Sequence, residues 1–255
     1  MPYSAESIDE MARALPRTLS DVNNLLVRHA QLAESFDGGV KEHLLHGAGR
    51  RLNVIRRCIE RLFQVFPPQR TRKLDDGELG DVQLMLQALC MNVAGIFDNW
   101  GWAFALRHGL LDLIGGPHGA SLFKQRIRKF LPEPLLRQVE AMDDWHTNYL
   151  KGYRDSLAHQ IPLYIPPFTV TKDEEVRYRE LESERQQLLF AGEFDRYESA
   201  TQELEAIGSA CTVFMHSLQF EGVYRPVHLH LQILSDCATV VECGGLFLSH
   251  WQERA

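Results

Sequence analysis

Between proline and glycine breaks, apolar residues recur at helical spacing along most of the chain. The pattern predicts a short helix over 19–36, ended by Asp37-Gly38-Gly39, and a longer one over 40–66, stopped by Pro67-Pro68. On the second helix Leu52, Ile55, Ile59, Leu62, Phe63 and Phe66 gather within about a third of the circumference. Arg50, Arg57 and Arg61 align on the opposite side as a basic ridge. A helix over 77–107 is apolar on most sides and belongs at the centre of a bundle. A glycine-rich loop is expected over 109–119, a helix over 121–130 and another over 135–160.

Ile161 to Phe168 holds too many prolines for a helix and too many apolar residues for a loose linker, so an extended arm packed on the bundle is expected. Three helices follow, over 172–191, 193–219 and from Pro226 onward. The second carries a three-four seam of Tyr197, Ala200, Leu204, Ile207, Cys211, Phe214 and Leu218. The third repeats the seam at Val227, Leu231, Leu234, Ala238 and Val241, and Gly244-Gly245 marks a break or a close crossing. No strand pattern is long enough to assign. The expectation is one all-α domain, a bundle of seven to nine helices.

Composition narrows the class. With 45% hydrophobic and 24% charged residues in 255, the chain is neither disordered nor fibrous. No uninterrupted apolar run approaches the roughly 18 residues of a membrane span, so no membrane partner is expected. The opening MPYSAESIDEMARAL lacks a basic stretch followed by an apolar core, so no secretory signal is expected. Five scattered cysteines without a CxxC favour a reduced, cytoplasmic protein. The net charge of −7 is unevenly placed. Asp173–Glu205 holds eleven acids and four basic residues, whereas Arg50–Lys73 holds eight basic residues and one acid. A local basic patch can meet a polyanion even on an acidic chain.

Most catalytic patterns are missing: there is no GxSxG, GxxxxGK[ST] or HExxH, and no cofactor is called for. What remains is Tyr153-Arg154-Asp155-Ser156-Leu157-Ala158-His159, at the end of the 135–160 helix. Met142, Trp145, His146, Tyr149, Tyr153 and Leu157 form its apolar stripe. Arg154, Asp155, Ala158 and His159 share another arc with Thr147, Asn148 and Lys151. In the last turn the helix dipole favours a protonated imidazole.

This segment resembles the HEPN superfamily, whose signature is an arginine, a polar residue and a histidine four to six positions beyond the arginine. Asp155 stands where many catalytic members have asparagine. The resemblance implies a helical core over about 40–160, extended by the C-terminal helices. It also implies a metal-independent ribonuclease whose site forms where two protomers meet. Arg154 would hold the phosphate, His159 would move protons, and Asp155 would orient the imidazole or partly neutralise Arg154. Arg50, Arg57, Arg61 and Lys151 are the candidate phosphate contacts, and Asp98, Asn99 and Tyr153 the candidate pocket residues. Asp98 or Asn99 is expected to bond to the motif helix. A homodimer, an RNA or nucleotide ligand and a cognate inhibitor protein are the implied partners.

Other readings compete. Arg154 and His159 can be a helix-end pair, with Arg154 bridged to an acid and His159 capping carbonyls. His43 with His46, and His228 with His230 near Asp236, are histidine groupings to weigh for a divalent metal, but no metal site is assigned. Two helical seams and an acidic helix equally suit a non-catalytic interaction protein.

Overall fold

The computed structural model describes residues 3–217 and 224–252. It is an all-α bundle, with a two-stranded hairpin as the sheet among the described residues. Counting contiguous segments together, nine helices are described, in accord with the sequence pattern.

Helix α1 spans Ala5–Ala33 and begins where Ser4 accepts from the Ser7 amide. It runs through Pro16, well ahead of the expected start at 19. Pro16 and Ala12, whose carbonyl the proline leaves unbonded, are exposed, so water can satisfy that group. After Gly38–Lys41 (α2) the backbone widens into a π-helix over Glu42–Gly49 and continues without a break as α3, Arg50–Val65. The stripe from Leu52 to Phe66 is buried and Arg50, Arg57 and Arg61 are exposed.

Helix α4, Asp76–Arg107, starts with a capping box between Asp75 and Glu78. It is the central helix, packing on α3 and on α8 (Lys151–His159). By length and composition α4 and α11 (Leu229–Gln252) are apolar enough to cross a bilayer; here both are core helices, with Trp100, Phe97, Phe247 and Trp251 buried. The three longest helices meet at Trp100. Its indole N–H donates to His29 Nε2 at 2.7 Å, and His29 Nδ1–H donates to the Leu25 carbonyl at 2.8 Å. Phe247 stacks on both rings. A Cβ at Gly244 would lie 2.7 Å from Leu25 and 2.9 Å from Trp100, so glycine allows α11 to cross there as an unbroken helix.

Four differences from the sequence pattern stand out. The helix expected over 121–130 is only Gln125–Arg128 (α5). The one expected over 135–160 is divided into α6 (Glu133–Ala141), α7 (Asp143–Trp145), a π-helix over His146–Leu150, and α8. After α9 (Lys172–Ala191), α10 covers only Phe194–Ala206, and Val213–Ser217 is strand β1. Pro226 lies within β2, Tyr224–His228, and not at a helix start. It sits opposite Met215, whose amide and carbonyl bond instead to Tyr164 of the 161–168 segment. The N–H that proline lacks therefore leaves no ladder bond unmade. Leu163 and Ile165 of that segment are buried. Leu218 lies outside the described residues.

All five cysteines are free and buried, and burial pushes the thiols of Cys58, Cys90, Cys237 and Cys243 up. Burial also raises the Asp236 carboxyl to about 6, although Trp145 Nε1 and Gln232 Nε2 donate to it at 2.8 and 2.6 Å. A carboxyl whose folded value is raised contributes stability below the ordinary carboxylate range, and that contribution disappears as pH rises through about 6. His29 and His230, held down at about 4 by burial, act in the opposite sense, their contribution being lost as pH falls from the usual histidine range through 4. The Asp236→Asn variant should therefore gain stability on wild type between about pH 4 and 6, by up to about 3 kcal/mol. Urea unfolding of both proteins across that window measures the difference; a constant difference would show that Asp236 does not titrate there.

Candidate functional site

The π-helix over His146–Leu150 sets how α8 faces the bundle. Leu150, Tyr153 and Ser156 point inward and are buried, while Lys151, Ala158 and His159 are exposed. Arg154 is 43% exposed at its side chain and Asp155 22%. The Arg154 Nε and Nη2 both donate to Asp155 Oδ1, at 3.0 and 2.6 Å. Asp155 thus pairs with the guanidinium and not with the imidazole. His159 closes α8 and makes no hydrogen bond or ion pair among the described residues.

Arg154 borders a cleft of about 380 Å³ between α8, α4 and the 121–128 segment. Lys124, Lys151 and Arg154 carry its positive charge, and Asp98 faces them from α4. Arg128 lies in the wall, 6% exposed, in a two-pronged ion pair with Asp143: Nη1 donates to Oδ2 at 2.7 Å and Nη2 to Oδ1. That pair holds the Asp143 carboxyl below the usual range, and Arg128 Nε is buried without a partner among the described residues. His146 stacks on Phe123 with ring centroids 3.7 Å apart. Burial, with Arg154 nearby as the next cause, lowers its imidazole to about 4, so it is neutral near pH 7.

The cleft therefore brings together Arg154, Lys151 and Asp98 but not the other candidates. His159 is outside it. Tyr153, expected in a pocket, is a core residue: it is 1% exposed, packed edge-on against Phe214 and His216, its hydroxyl without a partner among the described residues. Asn99 does not bond to the motif helix. Its Oδ1 accepts from Arg51 Nε at 2.8 Å and its Nδ2 lies 3.2 Å from His43 Nδ1, joining α4 to the π-helix before α3. Arg57 and Arg61 line a separate groove on α3, which shares no residue with the cleft.

Sequence reasoning missed Lys124, Arg128, Asp143 and His146. The run Lys124-Gln-Arg-Ile-Arg-Lys129 is basic, but its helix is one turn long and carries no periodicity that would place these side chains at a site. The histidine groupings are otherwise engaged. His43 stacks on Trp102, and His230 is buried with its ring nitrogens 3.1 Å from the Tyr3 hydroxyl and 2.6 Å from the Phe66 carbonyl. Among the described residues no three His, Cys, Asp or Glu side chains are grouped to hold a metal.

Comparison with protein-family models, curated proteins and solved structures finds no match to this chain. The resemblance thus rests on the motif and its setting.

Arg128 and Asp143 anchor the cleft wall. Replacing Asp143 with Ala would strand a buried guanidinium. Because the carboxylate itself is 46% exposed, the expected loss is about 1–3 kcal/mol, below that of a wholly buried pair. Chemical denaturation of Asp143→Ala beside Lys124→Ala, which should cost little, tests this; equal stability of the two would remove the anchoring role.

Proposed function

We propose that this chain is a HEPN-like, metal-independent endoribonuclease that acts as a homodimer, with His159 as general acid and base and Arg154 as the phosphate stabiliser. The observation that carries the reading is the orientation of α8, which buries Tyr153 and Ser156 while leaving His159 exposed, unbonded among the described residues, and Arg154 at the rim of a basic cleft. Lys124 and Lys151 supply sequence-independent attraction for RNA phosphates, which makes binding salt-dependent.

The cleft that Arg154 borders does not include His159, so the reading requires a second α8 opposite the first. The ribose 2′-hydroxyl attacks the adjacent phosphorus as one His159 takes its proton. Arg154 stabilises the charge that grows on the phosphoryl oxygens. The second His159, protonated, gives a proton to the departing 5′-oxygen. The products are a 2′,3′-cyclic phosphate and a 5′-hydroxyl, and no metal takes part.

The Arg154–Asp155 pair favours a second reading, a catalytically silent protein that binds RNA, a nucleotide or a protein. Magnitude argues for the first. A half-exposed pair is worth about 0–1 kcal/mol in water, less than a charge-assisted bond to phosphate, so Asp155 restrains Arg154 without withdrawing it.

The test is cleavage of single-stranded RNA in EDTA by purified protein. Arg154→Ala and His159→Ala should each lower the rate at least about 100-fold, while Asp155→Asn should cleave as fast as wild type or faster. Full activity in both alanine variants would trace cleavage to another nuclease. RNA binding that depends on Lys124 and Lys151, without cleavage, would establish the silent binder.

A further inference from the structure

Helices α9 and α10 form an antiparallel hairpin that stands apart from the rest of the fold. Leu181, Leu188, Ala200 and Leu204 make a small apolar seam between them, separate from the continuous core that the other helices share. The hairpin is tied down at its base. Thr169 and Ser209 pair through their backbones, the Ala210 amide donates to the Thr71 carbonyl, and Lys73 Nζ donates to the Leu204 carbonyl. With 20 residues in α9, its far end lies roughly 30 Å from that base.

At that end Gly192, in the left-handed conformation at φ +74°, turns the chain between the helices. The tip is apolar and open to solvent: Phe190 is 91% exposed, Phe194 67% and Leu189 49%. Around it the hairpin is acidic. Asp195 and Glu198 are exposed and have no ion-pair partner among the described residues.

The face of α3 and α4 has the same layout with opposite charge. Val54, Cys58 and Met85 line an open groove of about 620 Å³, bordered by Arg57 and Arg61, with Glu60 3.5 Å from Arg57. Leu84 on α4 is 67% exposed and Met91, two turns on, 39%. Arg50 extends the basic rim.

We propose that these surfaces belong together in an assembly: the hairpin of one copy lies across the α3–α4 groove of a second copy, with Phe190 and Phe194 over the apolar floor and the acidic flanks against Arg57 and Arg61. Charge complementarity selects this occupant. The hairpin, with eleven acids and five basic residues, is net −6, and α3, which carries the groove's arginines, is net +4 with Glu60 counted. An RNA on the ridge would use the arginines but leave both apolar patches in water, whereas a second copy covers all of them. A two-fold arrangement satisfies two hairpins and two grooves at once and closes the assembly. The proposal does not depend on the ribonuclease reading, since groove and cleft have no residue in common.

Sedimentation equilibrium of the full chain tests it. Wild type should self-associate, more weakly in about 1 M than in about 0.15 M salt. Two charge-reversed proteins, Arg57→Glu with Arg61→Glu and Asp195→Arg with Glu198→Arg, should each self-associate about tenfold more weakly, as should Phe190→Ser with Phe194→Ser. Mixed in equal amounts, the two charge-reversed proteins should associate with each other, because each hairpin then meets a groove of opposite sign. All the substituted positions are at the surface, and unchanged circular dichroism confirms folding. His159→Ala should behave as wild type, which separates failure here from failure of the nuclease reading. The proposal is overturned if each charge-reversed protein associates as wild type does. It is also overturned if groove reversal weakens only the binding of a single-stranded RNA oligonucleotide.

Discussion

A helix enclosed on most of its sides must settle each of its polar groups inside the protein, and α4 organises the fold by doing so. Trp100 gives its N–H to a neutral His29, which passes the chain of bonds to the Leu25 carbonyl. An unpaired buried polar group costs about 1–3 kcal/mol, so this link fixes the rotation of α1 against α4 more sharply than apolar contact alone. Gly244 completes the junction by letting α11 approach both. The two residues just before Trp100 face elsewhere: Asn99 bonds to Arg51 and Asp98 opens onto the cleft. The same stretch of α4 thus serves the core, the α3 contact and the candidate site.

The two arginine–carboxylate pairs at the cleft have different physical characters. Arg128 is buried and joined to Asp143 through two nitrogens, a rigid part of the wall. Arg154 is half in water, bound to its chain neighbour through one oxygen, and can turn toward a ligand at little cost. The cleft therefore combines a fixed positive wall with a movable guanidinium, beside an imidazole that remains neutral.

Helical periodicity was most legible where one face is dry and the other wet, as in α3, whose stripe and ridge are found where the wheel puts them. The same reasoning misread 207–228. Ile207, Cys211 and Phe214 continue the three-four spacing of α10, yet the chain leaves the helix after Ala206 and pairs as a hairpin. Alternation over the five residues of β1, with Phe214 and His216 buried, is too short to outweigh a seam that runs into it. Of the cleft, the part on α8 was legible because it lies on a long amphipathic segment. Lys124, Arg128 and Asp143 were not, because they are placed by a one-turn helix and by an ion pair across fifteen positions that no local pattern encodes.

The concealed sulfur atoms have a practical consequence. Cys58, Cys90, Cys237 and Cys243 sit on α3, α4 and α11, and Cys211 lies just before β1. A thiol must reach water and ionise before it can be alkylated, so in the native molecule Cys90, Cys211, Cys237 and Cys243 are silent to such reagents, whereas Cys58 borders the open groove. Modification of any of those four would then record where the molecule had opened: a mark on Cys211 alone registers loosening beside the hairpin, and marks on all four register loss of the bundle.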